Sequence, residues 1–170
     1  MINKWIYQQL TKEQEEVQQK LAEDLSISPI LARLLVQRDI KTYDEARAFF
    51  RPDLSDLHDP FLMADMDSAV ERLTYAMQHN EKILVYGDYD VDGTTSVALV
   101  YRFLKQFISN VDFYIPDRYT EGYGISIRGI DYAAENNCTL IIALDCGIKA
   151  VEKVKYAKSL GVDFIICDPS

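Results

Sequence analysis

Ile83-Leu84-Val85-Tyr86-Gly87-Asp88-Tyr89-Asp90-Val91-Asp92-Gly93-Thr94 is the stretch that decides the reading of this chain. Four apolar residues run into a glycine and then into three aspartates at alternate positions. So short an apolar run, closed by glycine, predicts a strand buried on both faces rather than a helix. Similar runs recur downstream at residues 111–115, 140–144 and 164–167. Helix-length stretches separate them, at 94–107, 126–135 and 150–160. Strands alternating with helices predict βαβ units and an α/β fold, a mostly parallel sheet flanked by helices in a Rossmann-like manner.

Each of the four runs leads to an aspartate: Asp88, Asp117, Asp145 and Asp168. In an open parallel sheet the carboxyl ends of the strands share one rim, and ligands bind there. Crowded carboxylates repel one another and are costly to desolvate unless a cation sits among them. Oxygen-only donors suit hard ions such as Mg²⁺ or Mn²⁺. A single strand-end aspartate is explained by a solvated turn, and Asp117 fits that description. Asp88, Asp90, Asp92 and Asp145 together point instead to a metal site with catalytic carboxylates. An extended backbone at residues 88–92 would put three of these on one side. Gly87 and Gly93 are expected to let the chain turn around an ion. Thr94-Thr95-Ser96 is expected to open the next helix, with free N–H groups available to a phosphate.

Three other motifs compete for the same residues. An EF-hand loop would need Glu where Leu99 stands, and would follow a helix, so it is rejected. A haloacid-dehalogenase-like phosphatase would use Asp90 as nucleophile and Asp92 as acid/base, and is kept as the alternative. Gly122-Tyr123-Gly124 lacks the spacing of a nucleotide-binding glycine loop. Arg118 and Tyr123, in that loop with Gly124, are read as substrate-binding residues, one gripping phosphate and one stacking on a base. Thr94 completes that set.

Residues 1–80 read as a helical region, and residues 81–170 as the α/β domain. The apolar stripe Val17, Leu21, Leu25 predicts a helix over 11–25. Ser28-Pro29 opens a second, with Ile30, Leu31, Leu34 and Leu35 on its apolar face. Thr42 and Glu45 form a capping-box pattern for a third, stopped by Arg51-Pro52-Asp53. Residues 54–62 read as an irregular connector and 66–78 as helix. Arg33, Arg38, Lys41, Arg47 and Arg51 make this region locally basic, which a solvated helix face explains. Docking of a repair partner, if there is one, is expected at Trp5 and the Gln-rich helix, and nothing else in the reading depends on it.

The 170 residues, 48% of them hydrophobic, suffice for a real core. A net charge of −9 excludes a broadly basic nucleic-acid coat protein. It does not exclude a nuclease, because metal-holding carboxylates become a cationic site once loaded. No apolar run approaches the roughly twenty residues of a membrane span, and none resembles a signal peptide. Cys138, Cys146 and Cys167 are odd in number and lack C-x-x-C spacing, so free thiols in a reducing cytoplasm are expected.

Residues 86–93, Tyr-Gly-Asp-Tyr-Asp-Val-Asp-Gly, resemble the first motif of the DHH phosphoesterase superfamily in its RecJ-type exonuclease form. Leu144-Asp145-Cys146-Gly147 looks like the second motif, and residues 116–126 are similar to a RecJ-type segment between them. The helical lead-in, notably 57–62 and 67–73, is similar as well. The resemblance implies a hydrolase that degrades single-stranded DNA 5′ to 3′ in repair and recombination. It also implies Mn²⁺ or Mg²⁺ as cofactor, two ions in the complete enzyme. By position, Asp88, Asp90, Asp92, Asp145 and Asp168 would be the metal residues, with the metals activating water and steadying phosphate charge. The family's third motif is Asp-His-His, whereas this chain reads Asp168-Pro169-Ser170 and has histidines only at His58 and His79. The expectation is therefore a truncated N-terminal portion that falls short of activity by itself. A non-catalytic fragment that binds DNA or a partner is the alternative of a different class.

Overall fold

The computed structural model describes residues 8–168. Trp5, Pro169 and Ser170 lie outside that range. The chain forms two compact units, one ending at Leu62 and the other beginning at Met63.

In the first unit, α1 (Lys12–Leu25) starts in a capping box of Thr11 and Gln14. The αL residue Ser26 ends it. Ser28 caps α2 (Pro29–Val36), whose first position is the proline. Thr42 and Glu45 reciprocally satisfy the first amides of α3 (Tyr43–Phe50). Two 3-10 turns, Leu54–Asp56 and Pro60–Leu62, occupy the connector. Leu21, Ala32, Leu35, Val36, Ile40 and Ala46 form the core.

The apolar face expected for α2 is corrected here. Ile30, Leu31 and Leu34 are exposed, and the buried row is Ala32, Leu35 and Val36. Pro-Ile-Leu-Ala-Arg-Leu-Leu-Val is apolar around most of its circumference, so periodicity admits more than one stripe. Packing selects the stripe containing alanine, whose small side chain lets another helix approach closely.

The second unit begins with α4 (Met66–Gln78), which lays Leu73 and Ala76 on one face of the sheet. The structural division therefore falls before the change of sequence pattern at Glu81. Then come β1 (Lys82–Gly87), α5 (Val91–Leu104), β2 (Val111–Tyr114), α6 (Ile127–Glu135), β3 (Cys138–Leu144), α7 (Val151–Ser159) and β4 (Asp163–Cys167). The strands are all parallel, in the order β2-β1-β3-β4.

Burial follows the pleat. Ile83 and Val85 of β1 pack with Val97 and Leu104 of α5, while Leu84 and Tyr86 face Ile130 and Ala133 of α6. Each such fully buried aliphatic contributes about 1.5–3 kcal/mol. Polar groups occur at the edge strands. Asp112 on β2 receives the Tyr132 hydroxyl at 3.1 Å and pairs with Lys82 at 3.5 Å. Arg72 on α4 reaches Asp163 of β4 and Glu81, each at 2.8 Å.

From β1 the chain passes through α5 to β2 on one side, then through α6 to β3 on the other. The connections diverge between β1 and β3. The carboxyl ends of β1 and β3 at this switch are the place where open α/β sheets bind ligands.

Candidate metal centre

Gly87 pairs with Leu144, and Leu144 with Cys167, so Asp88, Asp145 and Asp168 each follow the last residue of three aligned strands. Asp88 is fully buried. Its Oδ1 accepts the Tyr89 amide at 2.6 Å, and its Oδ2 has no hydrogen-bond partner. An oxygen desolvated without a donor costs about 1–3 kcal/mol, more if charged, unless a cation compensates it.

Asp90 and Asp92 occupy positions different from those expected. Helix α5 starts at Val91, not Thr94, and Asp90 is its N-cap, with Oδ1 accepting the Gly93 amide at 2.9 Å. Asp92 lies in the first turn. The three acids thus wind around a helix start instead of alternating along an extended segment. An N-cap aspartate competes well for this role because it satisfies an otherwise orphaned amide. Acids in the first turn also suit the positive end of the helix dipole.

Thr94 is one turn further in. Its amide donates to the Asp90 carbonyl at 3.0 Å and its hydroxyl to the same oxygen at 2.7 Å, so both donors are engaged within the helix.

The glycines also have a reason other than the turn around an ion. A Cβ on Gly93 would stand 2.5 Å from the Asp88 carbonyl oxygen. One on Gly87 would meet Val97 and lie 2.8 Å from the Gly93 carbonyl oxygen. Their role is to bring the helix start against the strand end.

Asp145 adopts a left-handed backbone, φ 57°, and its amide extends the ladder to the Cys167 carbonyl at 2.8 Å. For a residue with a Cβ this conformation is uncommon, and such outliers gather at functional sites. Partial burial and then the charges of Asp90, Asp92, Asp168 and Asp88 hold its carboxyl above the ordinary range. Asp168 Oδ2 accepts the Ile148 amide at 3.0 Å. All five expected metal residues therefore share one electrostatic neighbourhood. Among the described residues, no three His, Cys, Asp or Glu side chains already form a closed ligand set. The unpartnered Asp88 oxygen and the mutual repulsion felt at Asp145 nonetheless fit a hard divalent cation. Cys146 is buried, and burial followed by the Asp88 charge pushes its thiol up to about 12, so it is a packed, inert group.

Asp117 stands apart from this cluster. It is exposed, and its Oδ1 accepts the Tyr119 and Thr120 amides at 3.0 and 2.9 Å, as a turn-forming aspartate does. The loop it opens carries Arg118 and Tyr123. The Tyr123 phenol is raised by Asp88 first, then by slight burial and by Asp90 and Asp145, which brings it to the acidic cluster. The Arg118 guanidinium lies over the Tyr89 ring, 5.1 Å from its centroid, and Tyr123 meets that ring edge-on at 6.0 Å. Gly124 contributes through its backbone, at φ 80°, with its carbonyl accepting the Tyr86 hydroxyl at 2.9 Å.

Sequence reasoning missed Tyr89 and Tyr86. A tyrosine in an otherwise aliphatic buried strand was the signal, since its hydroxyl must find a partner.

The phosphatase alternative is set aside. Its nucleophile would have to follow the strand directly, but that place belongs to Asp88, and Asp90 Oδ1 is bound to a helix amide.

Known proteins resemble this chain in sequence and fold. The profile of the DHH family, N-terminal domain, matches residues 82–168. The single-stranded-DNA-specific exonuclease RecJ of Bacillus subtilis is 45% identical over 148 residues, which are 87% of this chain and 19% of that protein. A crystal structure of exonuclease RecJ bound to manganese superimposes with a TM-score of 0.55 at 33% identity, covering 59% of this chain and 26% of that one. RecJ of Thermus thermophilus, in complex with Mn²⁺, shares the fold with a TM-score of 0.67 at 23% identity, over 90% of this chain and 21% of that one. The chain thus spans about a fifth to a quarter of these relatives. With the profile covering the sheet and all of its strand-end aspartates, this chain belongs to the DHH family.

Proposed function

We propose that this chain carries the metal-holding part of a divalent-metal-dependent exonuclease that hydrolyses single-stranded DNA 5′ to 3′ in repair and recombination. The observation behind the reading is the fully buried Asp88, with one oxygen unpartnered, beside the raised carboxyl of Asp145 at the β1/β3 switch. In this reading Asp88, Asp90, Asp92, Asp145 and Asp168 hold Mn²⁺ or Mg²⁺, two ions in the complete enzyme. A bound ion supplies a Lewis acid that activates water and offsets charge on the phosphate.

The chain's own residues supply the rest. Asp90 and the α5 start fix the cluster to the strand end. Arg118 offers a bidentate grip for phosphate, and the exposed ring of Tyr123, beside the half-buried ring of Tyr89, offers a stacking face that any base can use. Such a rim favours unpaired nucleotides, because stacked duplex bases do not present their faces. Among the described residues no helix is long and apolar enough to cross a membrane. The three free cysteines support a cytoplasmic setting.

Calorimetric titration with Mn²⁺, repeated on Asp88→Asn and Asp145→Asn, tests the reading, together with nucleotide release from a labelled single strand. Binding that each substitution weakens at least tenfold is the expected result. No heat at millimolar Mn²⁺ would sink it.

A further inference from the structure

Residues 115–126 contain no helix or strand, yet they carry Arg118, Tyr119 and Tyr123 past the carboxyl ends of the sheet. What holds this loop is a set of polar bonds from beneath. The hydroxyl of Tyr86, a fully buried residue of β1, donates to the Gly124 carbonyl and accepts the Ser126 amide, both at 2.9 Å. Ser126 Oγ donates to Glu121 Oε2 at 2.6 Å, and the Tyr114 hydroxyl donates to the same oxygen at 2.8 Å. Glu121 Oε1 takes the Asp117 amide at 2.9 Å. The Tyr86 and Tyr114 rings stack with centroids 5.6 Å apart. Lys153 Nζ donates to the Ile125 carbonyl.

Tyr123 itself sits between Gly122 and Gly124, both with positive φ near 80° and with open space where a Cβ would be. Its backbone is therefore set by turns at either side, and the far turn is pinned by Tyr86. An apolar ring at residue 86 would pack as well but would leave the Gly124 carbonyl and the Ser126 amide without this partner. The hydroxyl serves the loop, not the core. Glu121 likewise gathers donors from β2, α6 and the loop itself, and a charged acceptor makes such bonds stronger.

We infer that Tyr86 and Glu121 are positioning residues that hold the 116–126 loop so that Arg118 and Tyr123 form, with Tyr89, one rim for an unpaired nucleotide beside the carboxylates. The inference rests on the nuclease reading for its ligand, but not for the loop-fixing itself.

Tyr86→Phe and the volume-conserving Glu121→Gln test it, with a fluorescein-labelled thymidine oligonucleotide as probe in the presence of Mn²⁺. Each should weaken oligonucleotide binding about fivefold, the scale of one or two lost hydrogen bonds, and leave Mn²⁺ affinity unchanged. In an Arg118→Ala/Tyr123→Ala background the same substitutions should change binding less than about twofold, because their effect passes through that rim. Amide exchange at residues 122–126 should speed up. Additive effects in the double background, or unchanged exchange, overturn the inference. Should the unaltered chain bind no oligonucleotide while exchange still responds to Tyr86→Phe, the nuclease reading fails and the inference loses its ligand, leaving only the loop-fixing.

Discussion

A Cβ placed on Gly93 would stand 2.6 Å from the Asp88 amide nitrogen, closer than real Cβ contacts come. The obstacle is backbone, so no rotamer change relieves it. Gly93→Ala should therefore push the start of α5 away from β1, at a cost of about 1–3 kcal/mol, the usual scale for overpacking. Thermal unfolding would register the loss, and Mn²⁺ affinity should fall with it. Unaltered stability would mean that the strand end and helix start are not packed as described.

Asp145→Asn separates charge from conformation. Asparagine tolerates the left-handed backbone that Asp145 adopts, φ 57°, while removing one member of a repelling group. The metal-free variant is expected to melt no lower than the parent, and its Mn²⁺ affinity to fall at least tenfold. Asp145→Ala should lose affinity and also stability, because alanine resists that φ.

Metal should stabilise the fold by mass action. At a hundredfold excess over its dissociation constant, Mn²⁺ adds about 2.7 kcal/mol, read as a higher melting temperature that EDTA reverses. An Asp88→Asn variant should show little of this increment. Equal shifts in both proteins would place the ion elsewhere.

Acid sensitivity has a definite sign. Burial alone would raise Glu121, but the Asp117 amide and the Ser126 and Tyr114 hydroxyls outweigh it and hold its carboxyl below the ordinary 4.5. Glu81 and Asp112 are likewise lowered on balance, against burial, by Thr139 and Arg72 in one case and by Phe113 and Tyr132 in the other. Groups depressed on folding stabilise the protein above their unfolded values and cease to do so as pH falls through their folded ones. Stability measured by chemical denaturation should thus decline below about pH 4.5, and Glu121→Gln should make that decline shallower. Asp145, raised on folding, works in the opposite direction and gains stability on acidification in the absence of metal.

The strands and the rim of aspartates were legible in the sequence because helix-covered parallel strands leave apolar runs. Only β1 and β3 are buried along their length, however, whereas β2 and β4 are partly exposed edges whose lack of an outer neighbour no apolar run reveals. Caps at Ser28 and Thr42 were legible for a similar reason, since each depends on residues three apart. What failed depended on choices between local alternatives. Asp90-Val91-Asp92 suits an extended ligand loop or a helix start, and the free amide of Gly93 decided for the helix. The α2 stripe failed because a helix apolar on most sides does not reveal which side is covered. Tyr86 and Glu121 were hidden for another reason. Tyr86 finds its partners 38 and 40 residues away, Glu121 finds its own across β2 and the loop, and no spacing rule connects them.

Tyr86, Gly87 and Asp88 are neighbours in the chain, yet each answers to a different master: a loop overhead, a helix alongside and an acidic cluster in front. A substitution at any one of them is blocked for a reason that changes at the other two could not relieve. Over evolutionary time this tripeptide should drift less than the aliphatic positions behind it, where Ile83 or Val85 can be exchanged for another branched side chain and lose only a methyl group's worth of packing.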